Sequence, residues 1–215
     1  TAAGVQCMWA VPHGCAEDRV ALCTHGGGYV AGSMYSHRKM FGHIAKAIGC
    51  KALLVHFRRA PEHPHPAPVE DTVAVYAWLL QQGYKPEHIC TTGDSAGGAL
   101  STTVLLAARD KGLPLPVAAM PMSPWYDMES LGESLKTNAD KDCLANETMV
   151  KTMAATFLGQ ASPVDPLANP LKADLKGLPP IYIQVGGDEA LLDDSLRFET
   201  LAKAAGVDVR CEVFA

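Results

Sequence analysis

A serine stands between glycines in Thr92-Gly93-Asp94-Ser95-Ala96-Gly97-Gly98. It follows an apolar run and opens a stretch of small and apolar residues. Glycine two residues to either side is the pattern of a nucleophile elbow, a tight strand-to-helix turn with the serine at its apex. Small neighbours are needed because the two backbones pass close together there. Such a serine attacks carbonyl carbon, and it needs a base, an acid that orients the base and N–H donors for the oxyanion. His25-Gly26-Gly27-Gly28 ends another short apolar run. Alone, a triple glycine is a flexible turn; coupled to the elbow, it supplies half of an oxyanion hole. His63 and His65 lie two apart in Arg58 to Pro68, a segment with four prolines. Zinc sites use three or four well-placed ligands. No third ligand is evident nearby, so the segment reads as a rigid extended loop without metal.

Those residues need a frame. Val5 to Val11 alternates loosely, as a strand does. Arg19 to Thr24 and Lys51 to Phe57 are short apolar runs, as in strands covered on both faces. Between them Met40, Phe41, Ile44, Ala47 and Ile48 recur at helical spacing, closed by Gly49. Val69, Val73, Tyr76, Ala77 and Leu80 mark a second helix that Gly83 ends. Ile89 to Thr92 feeds the elbow, a helix runs on to Ala108, and Val117 to Met122 is the next strand. Strand and helix alternate four times, which predicts an α/β fold with a mostly parallel sheet and helices on both faces. Ser123 to about Pro170 breaks the rhythm and reads as a cap-like insertion over about 124–170. It contains one predicted helix, Glu147 to Leu158, capped by Asn146. Trp125, Tyr126, Met149, Met153 and Phe157 either line a pocket or anchor this insertion. Ile181 to Val185, a helix over Leu191 to Ala205 and a strand over Val207 to Phe214 complete one expected domain, residues 1–215.

The 215 residues suffice for one such domain, and 48% hydrophobic with 19% charged residues fits a globular chain. A net charge of −5 gives no basic footprint for nucleic acid or an anionic membrane. No apolar stretch is long enough to span a bilayer, and no export signal opens the sequence. Seven scattered cysteines without a CxxC read as reduced thiols in a cytoplasmic protein, ahead of a disulfide framework or zinc. Cys23 and Cys90 fall inside expected buried strands.

Together the motifs resemble the hormone-sensitive-lipase-like (bacterial type IV) carboxylesterase branch of the α/β-hydrolases. The resemblance rests on His-Gly-Gly-Gly at 25–28, Phe-Arg-Arg-Ala-Pro-Glu at 57–62 and Gly-Asp-Ser-Ala-Gly-Gly at 93–98. It continues through Ser-Pro-Trp-Tyr-Asp at 123–127, Asp-Pro-Leu-Ala-Asn-Pro at 165–170 and Asp-Glu-Ala-Leu-Leu-Asp-Asp at 188–194. It implies a cofactor-free hydrolase of short- to medium-chain esters, or of lactones. It makes Ser95 the nucleophile and Asp188 the triad acid. The N–H groups of Gly27, Gly28 and Ala96 become the oxyanion hole, and His25 and Asp94 shape these loops. Tyr29, Trp125 and Tyr126 are the candidate pocket residues. Glu189, Asp193 and Asp194 read as helix-start and surface carboxylates. The family usually has Tyr-Arg-Leu where this sequence has Phe57-Arg58-Arg59. A homodimer through the last strand and helix is compatible with the resemblance.

The base is the departure. In this family the histidine follows the acid in the chain, yet all eight histidines precede Ser95. Both ends read as cut, and the expectation is a piece of a longer active esterase. A non-catalytic small-molecule receptor on the same fold, and an amidase or formamidase, stay open as alternatives.

Overall fold

The computed structural model describes residues 1–215. Seven strands form one sheet: β1 (Gln6–Ala10), β2 (Val20–Thr24), β3 (Lys51–His56), β4 (Ile89–Asp94), β5 (Ala118–Met122), β6 (Ile181–Gly186) and β7 (Val209–Phe214). Their order is β1-β3-β2-β4-β5-β6-β7. Only β1 runs antiparallel, against β3; the remaining pairs are parallel. The apolar runs become the central strands because helices cover both faces there: all five residues of β2 are buried.

The helices are α1 (Met34–Ile48), α2 (Ala67–Gln81), α3 (Ala96–Asp110), α4 (Ser134–Thr137), α5 (Glu147–Leu158) and α6 (Leu192–Ala204). On one face α1 packs Met34, Phe41 and Ala45 against Ala21, Cys23, Ala52 and Leu54. On the other, α2, α3 and α6 bury a larger core with Leu22, Leu53, Val55 and Ile183. α1 starts at a capping box, Ser33 with Ser36, and stops at Gly49 in the left-handed region. The first thirteen residues of α3, Ala96 to Ala108, are all buried. That fits a helix whose small leading residues let it lie close to the sheet.

The segment between β5 and β6 carries α4, which no apolar period announced, and α5, whose cap is Asn146 accepting from Met149 N–H at 2.9 Å. All seven cysteines are free thiols. Cys23 is buried and Cys90 half-buried, while Cys143 alone is exposed. Burial pushes the thiols of Cys7, Cys90 and Cys211 up to about 11, and raises those of Cys23 and Cys50 too. No helix is long and apolar enough to cross a membrane.

Candidate active site

β4 ends at Asp94 and the chain turns at Ser95, with φ 54° and ψ −120°. That left-handed conformation is strained for a residue with a side chain, and the surrounding bonds hold it. Ser95 N–H donates to Met122 O at 2.9 Å, and Ser95 O accepts from Trp125 N–H and Ala99 N–H, both at 3.0 Å. The flanking glycines are obligatory. A Cβ on Gly97 would lie 2.0 Å from Thr24 O, and one on Gly93 would lie 2.4 Å from the same oxygen. The hydroxyls of Ser101, Ser123 and Ser134 are hydrogen-bonded. That of Ser95 is not, and its half-buried side chain lines a cavity of about 290 Å³.

Gly27 and Gly28 line the same cavity. Both take positive φ, 121° and 60°, in the loop after β2. Gly27 O accepts from Val30 N–H and Ala31 N–H, but neither Gly27 N–H nor Gly28 N–H donates to another backbone group. Ala96 N–H is likewise free, as the first donor of a helix is. Three unpaired amides thus accompany the serine. Asp94 ties the two loops together: Gly26 N–H donates to its Oδ1 at 3.0 Å, and His37 Nε2 lies 3.3 Å from its Oδ2. His25 is buried and stacked on Phe57 at 4.3 Å, with Nδ1–H donating to Gly26 O at 2.8 Å. Burial lowers its pKa to about 4, so it is a neutral, loop-shaping ring.

The cavity wall is apolar: Trp125, Leu144, Met149, Val150, Met153 and Leu191. Met149, Val150 and Met153 come from α5, and Met153 Sδ sits where a Cβ on Gly28 would be, 2.2 Å away. Three larger surface grooves, of about 350 to 460 Å³, do not reach Ser95. Of the three residues expected to line the pocket, Trp125 does. Tyr29 and Tyr126 instead lie in the core. Tyr29 stacks on Phe157 at 3.7 Å. Tyr126 stacks on Phe198 at 4.5 Å, its hydroxyl 2.7 Å from Thr102 Oγ1. Packing on Phe157 and Phe198 holds the two rings in the core, and neither lines the cavity.

Asp188 follows β6 at the same edge of the sheet. Its carboxylate is largely exposed and meets Lys141 Nζ at 2.8 Å. The backbone around it is clamped by residues the sequence did not flag. Asn138 Nδ2 donates to Gly187 O at 3.2 Å and to Glu189 O at 2.9 Å, and Asp142 Oδ2 accepts from Ala190 N–H at 2.8 Å. The neighbouring acids are not surface carboxylates. Glu189 Oε1 accepts from Ser123 Oγ–H and Gly186 N–H, both at 2.8 Å. Asp193 accepts from Ser134 N–H at 2.9 Å. Asp194 is buried and takes Tyr126 N–H and Asp127 N–H at 2.8 and 2.9 Å. Burial pushes its pKa up to about 7. Asp127 is pushed up by burial, but the Arg197 guanidinium and the N–H groups of Leu131 and Glu129 outweigh this and hold it low. His65, half of the suspected histidine pair, is buried and lies 3.2 Å from Asp165 Oδ2, which pins its loop to the insertion.

A family model described as the alpha/beta hydrolase fold matches residues 21–215. A crystal structure of an esterase from the bacterial hormone-sensitive lipase family superposes with a TM-score of 0.98 at 54% identity, covering 99% of this chain and 72% of that one. The chain belongs to the hormone-sensitive-lipase-like branch of the α/β-hydrolase family. EstE5, in a crystal soaked with p-nitrophenyl butyrate, superposes with a TM-score of 0.97 at 49% identity, over 100% of this chain and 72% of its own. An acetyl-hydrolase of Streptomyces hygroscopicus is 43% identical over 91% of this chain and 66% of its own length. An esterase of Acinetobacter venetianus is 36% identical over 88% of this chain and 63% of its own. The chain thus spans slightly less than two thirds of these two relatives.

Proposed function

We propose that the protein containing this chain is a serine carboxylester hydrolase acting on short- to medium-chain esters. The observation that carries the reading is the strained Ser95, its hydroxyl unbonded, sharing an apolar cavity with Gly27 and Gly28, whose amides are free. The relatives named as esterase and acetyl-hydrolase support it. In this scheme the ester carbonyl oxygen takes the N–H groups of Gly27, Gly28 and Ala96, and Ser95 Oγ attacks the carbonyl carbon. The proton of Ser95 passes to a base that Asp188 orients, and the base returns it to the leaving alcohol. Water then attacks the acyl-enzyme, the same base taking its proton, and the acid leaves. Residues 1–215 have no histidine after Asp188, so the base in the family's chain order is not among them. Each oxyanion donor contributes about 3 kcal/mol to lowering the barrier in comparable sites. The segment at about 124–170 serves as a cap whose α5 sets the acyl side of the cavity, and 290 Å³ suits a small acyl group.

The test is hydrolysis of p-nitrophenyl butyrate by the protein expressed from its complete open reading frame, beside Ser95→Ala. Loss of turnover by roughly 10³-fold or more in the variant is expected. Equal rates would refute the serine mechanism, and binding of ester analogues without turnover would replace the enzyme with a receptor. Parallel assays with a lactone and an anilide separate lactonase and amidase activity from esterase activity.

A further inference from the structure

We propose that His37 is a positioning residue for the oxyanion loop, holding Asp94 so that Asp94 fixes Gly26 and, through it, the amides of Gly27 and Gly28. This rests on the ester-hydrolase reading above and adds to it a residue outside the triad and the oxyanion hole.

The contacts form one line. His37 Nε2 lies 3.3 Å from Asp94 Oδ2, and Gly26 N–H donates to Asp94 Oδ1 at 3.0 Å. Asp94 directly precedes the nucleophile, and Gly26 directly precedes the two oxyanion glycines. A carboxylate only accepts, so Nε2 carries the hydrogen. Gly26 admits the carboxylate because it lacks a side chain: a Cβ there would lie 2.2 Å from Asp94 Oδ2.

The other end of the ring is anchored to a rigid point. Ser36 Oγ lies 2.9 Å from His37 Nδ1. Ser36 is itself held in the capping box, receiving Ser33 N–H at 2.9 Å and donating its own N–H to Ser33 Oγ at 3.1 Å. The capping box holds the first turn of α1, and the bond to Asp94 is the ring's hydrogen bond to the chain outside that turn. The titratable groups facing it are Asp94, at the end of β4, and His25, after β2, whose ring centroid is 5.6 Å away; Phe41 of α1 completes the surroundings at 6.1 Å. The bond to Asp94 outweighs burial and raises the proton affinity of His37 above its ordinary value, as expected of an imidazole serving a carboxylate.

The consequence is geometric. Oxyanion donors act only when they are aimed at the position the oxygen will take, and displacements well below 1 Å matter. A carboxylate tethered by one amide rotates; tethered from both oxygens, it keeps Gly26 in place.

The test uses the complete protein with p-nitrophenyl butyrate. His37→Leu removes the donor, His37→Asn is polar but too short to reach Asp94, and His37→Gln carries an N–H near the Nε2 position. Leu and Asn are expected to lower kcat by about 10- to 100-fold, part of the loss seen when an oxyanion donor is deleted, with KM changing by less than roughly twofold. Gln is expected to recover most of kcat. Inhibition by a trifluoromethyl ketone, which forms an oxyanion adduct on the serine, should weaken in step with kcat/KM. Amide hydrogen exchange at Gly26 should accelerate in the Leu and Asn variants and return to the wild-type rate in Gln. Wild-type kcat with unchanged Gly26 exchange in either loss variant overturns the proposal, and Asn serves if Leu does not fold. If the wild-type protein hydrolyses no ester, the hydrolase reading fails, and Gly26 exchange alone then decides the role of His37.

Discussion

Gly97 and Gly42 are both helical glycines, and alanine should act on them in opposite directions. At Gly97 a Cβ would meet Thr24 O at 2.0 Å and His25 O at 2.6 Å, both backbone atoms of the neighbouring strand end. Neither atom can yield without moving β2 from α3. Gly97→Ala is expected to cost about 3 kcal/mol or more, a fall of roughly 6–12 °C in Tm for a domain of this size. Gly42 lies in the middle of α1 with nothing within 4 Å of its Cβ position. Gly42→Ala should therefore raise stability by about 1 kcal/mol, through helix propensity alone. Urea unfolding of both variants checks the pair; changes of the same sign would contradict the close-approach account. The same contrast explains what sequence revealed at this scale. Ser95 and its glycines were legible because the constraint is local, spaced by two residues. Asp94 was readable as a loop-shaping residue, but its bond to His37 spans 57 positions and leaves no local pattern.

At the scale of elements, the sheet strands, α1, α2, α3, α5 and α6 were legible from apolar runs and helical periodicity. α4 was not, because four residues cannot display a period. Nor was the environment of α6. Asp193 and Asp194 look like ordinary first-turn carboxylates, suited to a helix N-terminus. Asp194 is buried under the chain around Tyr126 and Asp127, and Asp193 accepts from Ser134 N–H; both are tertiary events. Asp194 has a measurable signature. Burial favours its neutral acid, so its folded pKa of about 7 exceeds the ordinary value of 3.8. The stability associated with that proton is present at acid pH and is lost as pH rises through about 7. In Asp194→Asn this loss is absent. The Tm of the wild-type protein minus that of the variant is expected to fall from about pH 4 upward and to level off above about pH 7. A pH-independent difference would show that Asp194 is already ionised throughout.

For the molecule as a whole, the candidate site lies where two kinds of structure meet. The sheet edge contributes Ser95 and the loop of Gly27 and Gly28, both on turns leaving strands. The segment between β5 and β6 contributes most of the apolar wall, through Leu144, Met149, Val150 and Met153. The sequence could not say which aromatic rings face the cavity. Tyr29 and Phe157 stack on one another in the core, and Tyr126 stacks on Phe198 of α6. The uneven burial of the thiols gives this arrangement a practical handle. Cys143 is the one exposed cysteine, next in sequence to Leu144 of the cavity wall. The thiolate is the reactive form, and burial keeps Cys7, Cys23, Cys50, Cys90 and Cys211 protonated at neutral pH. A maleimide dye at pH 7 should therefore attach fastest to Cys143, the one exposed thiol, verified by peptide mapping; equally fast labelling of Cys90 or Cys211 would count against the buried-thiol picture. Without any engineered mutation, the native chain would then have a fluorescent reporter one residue from the site, able to register the moment a ligand enters.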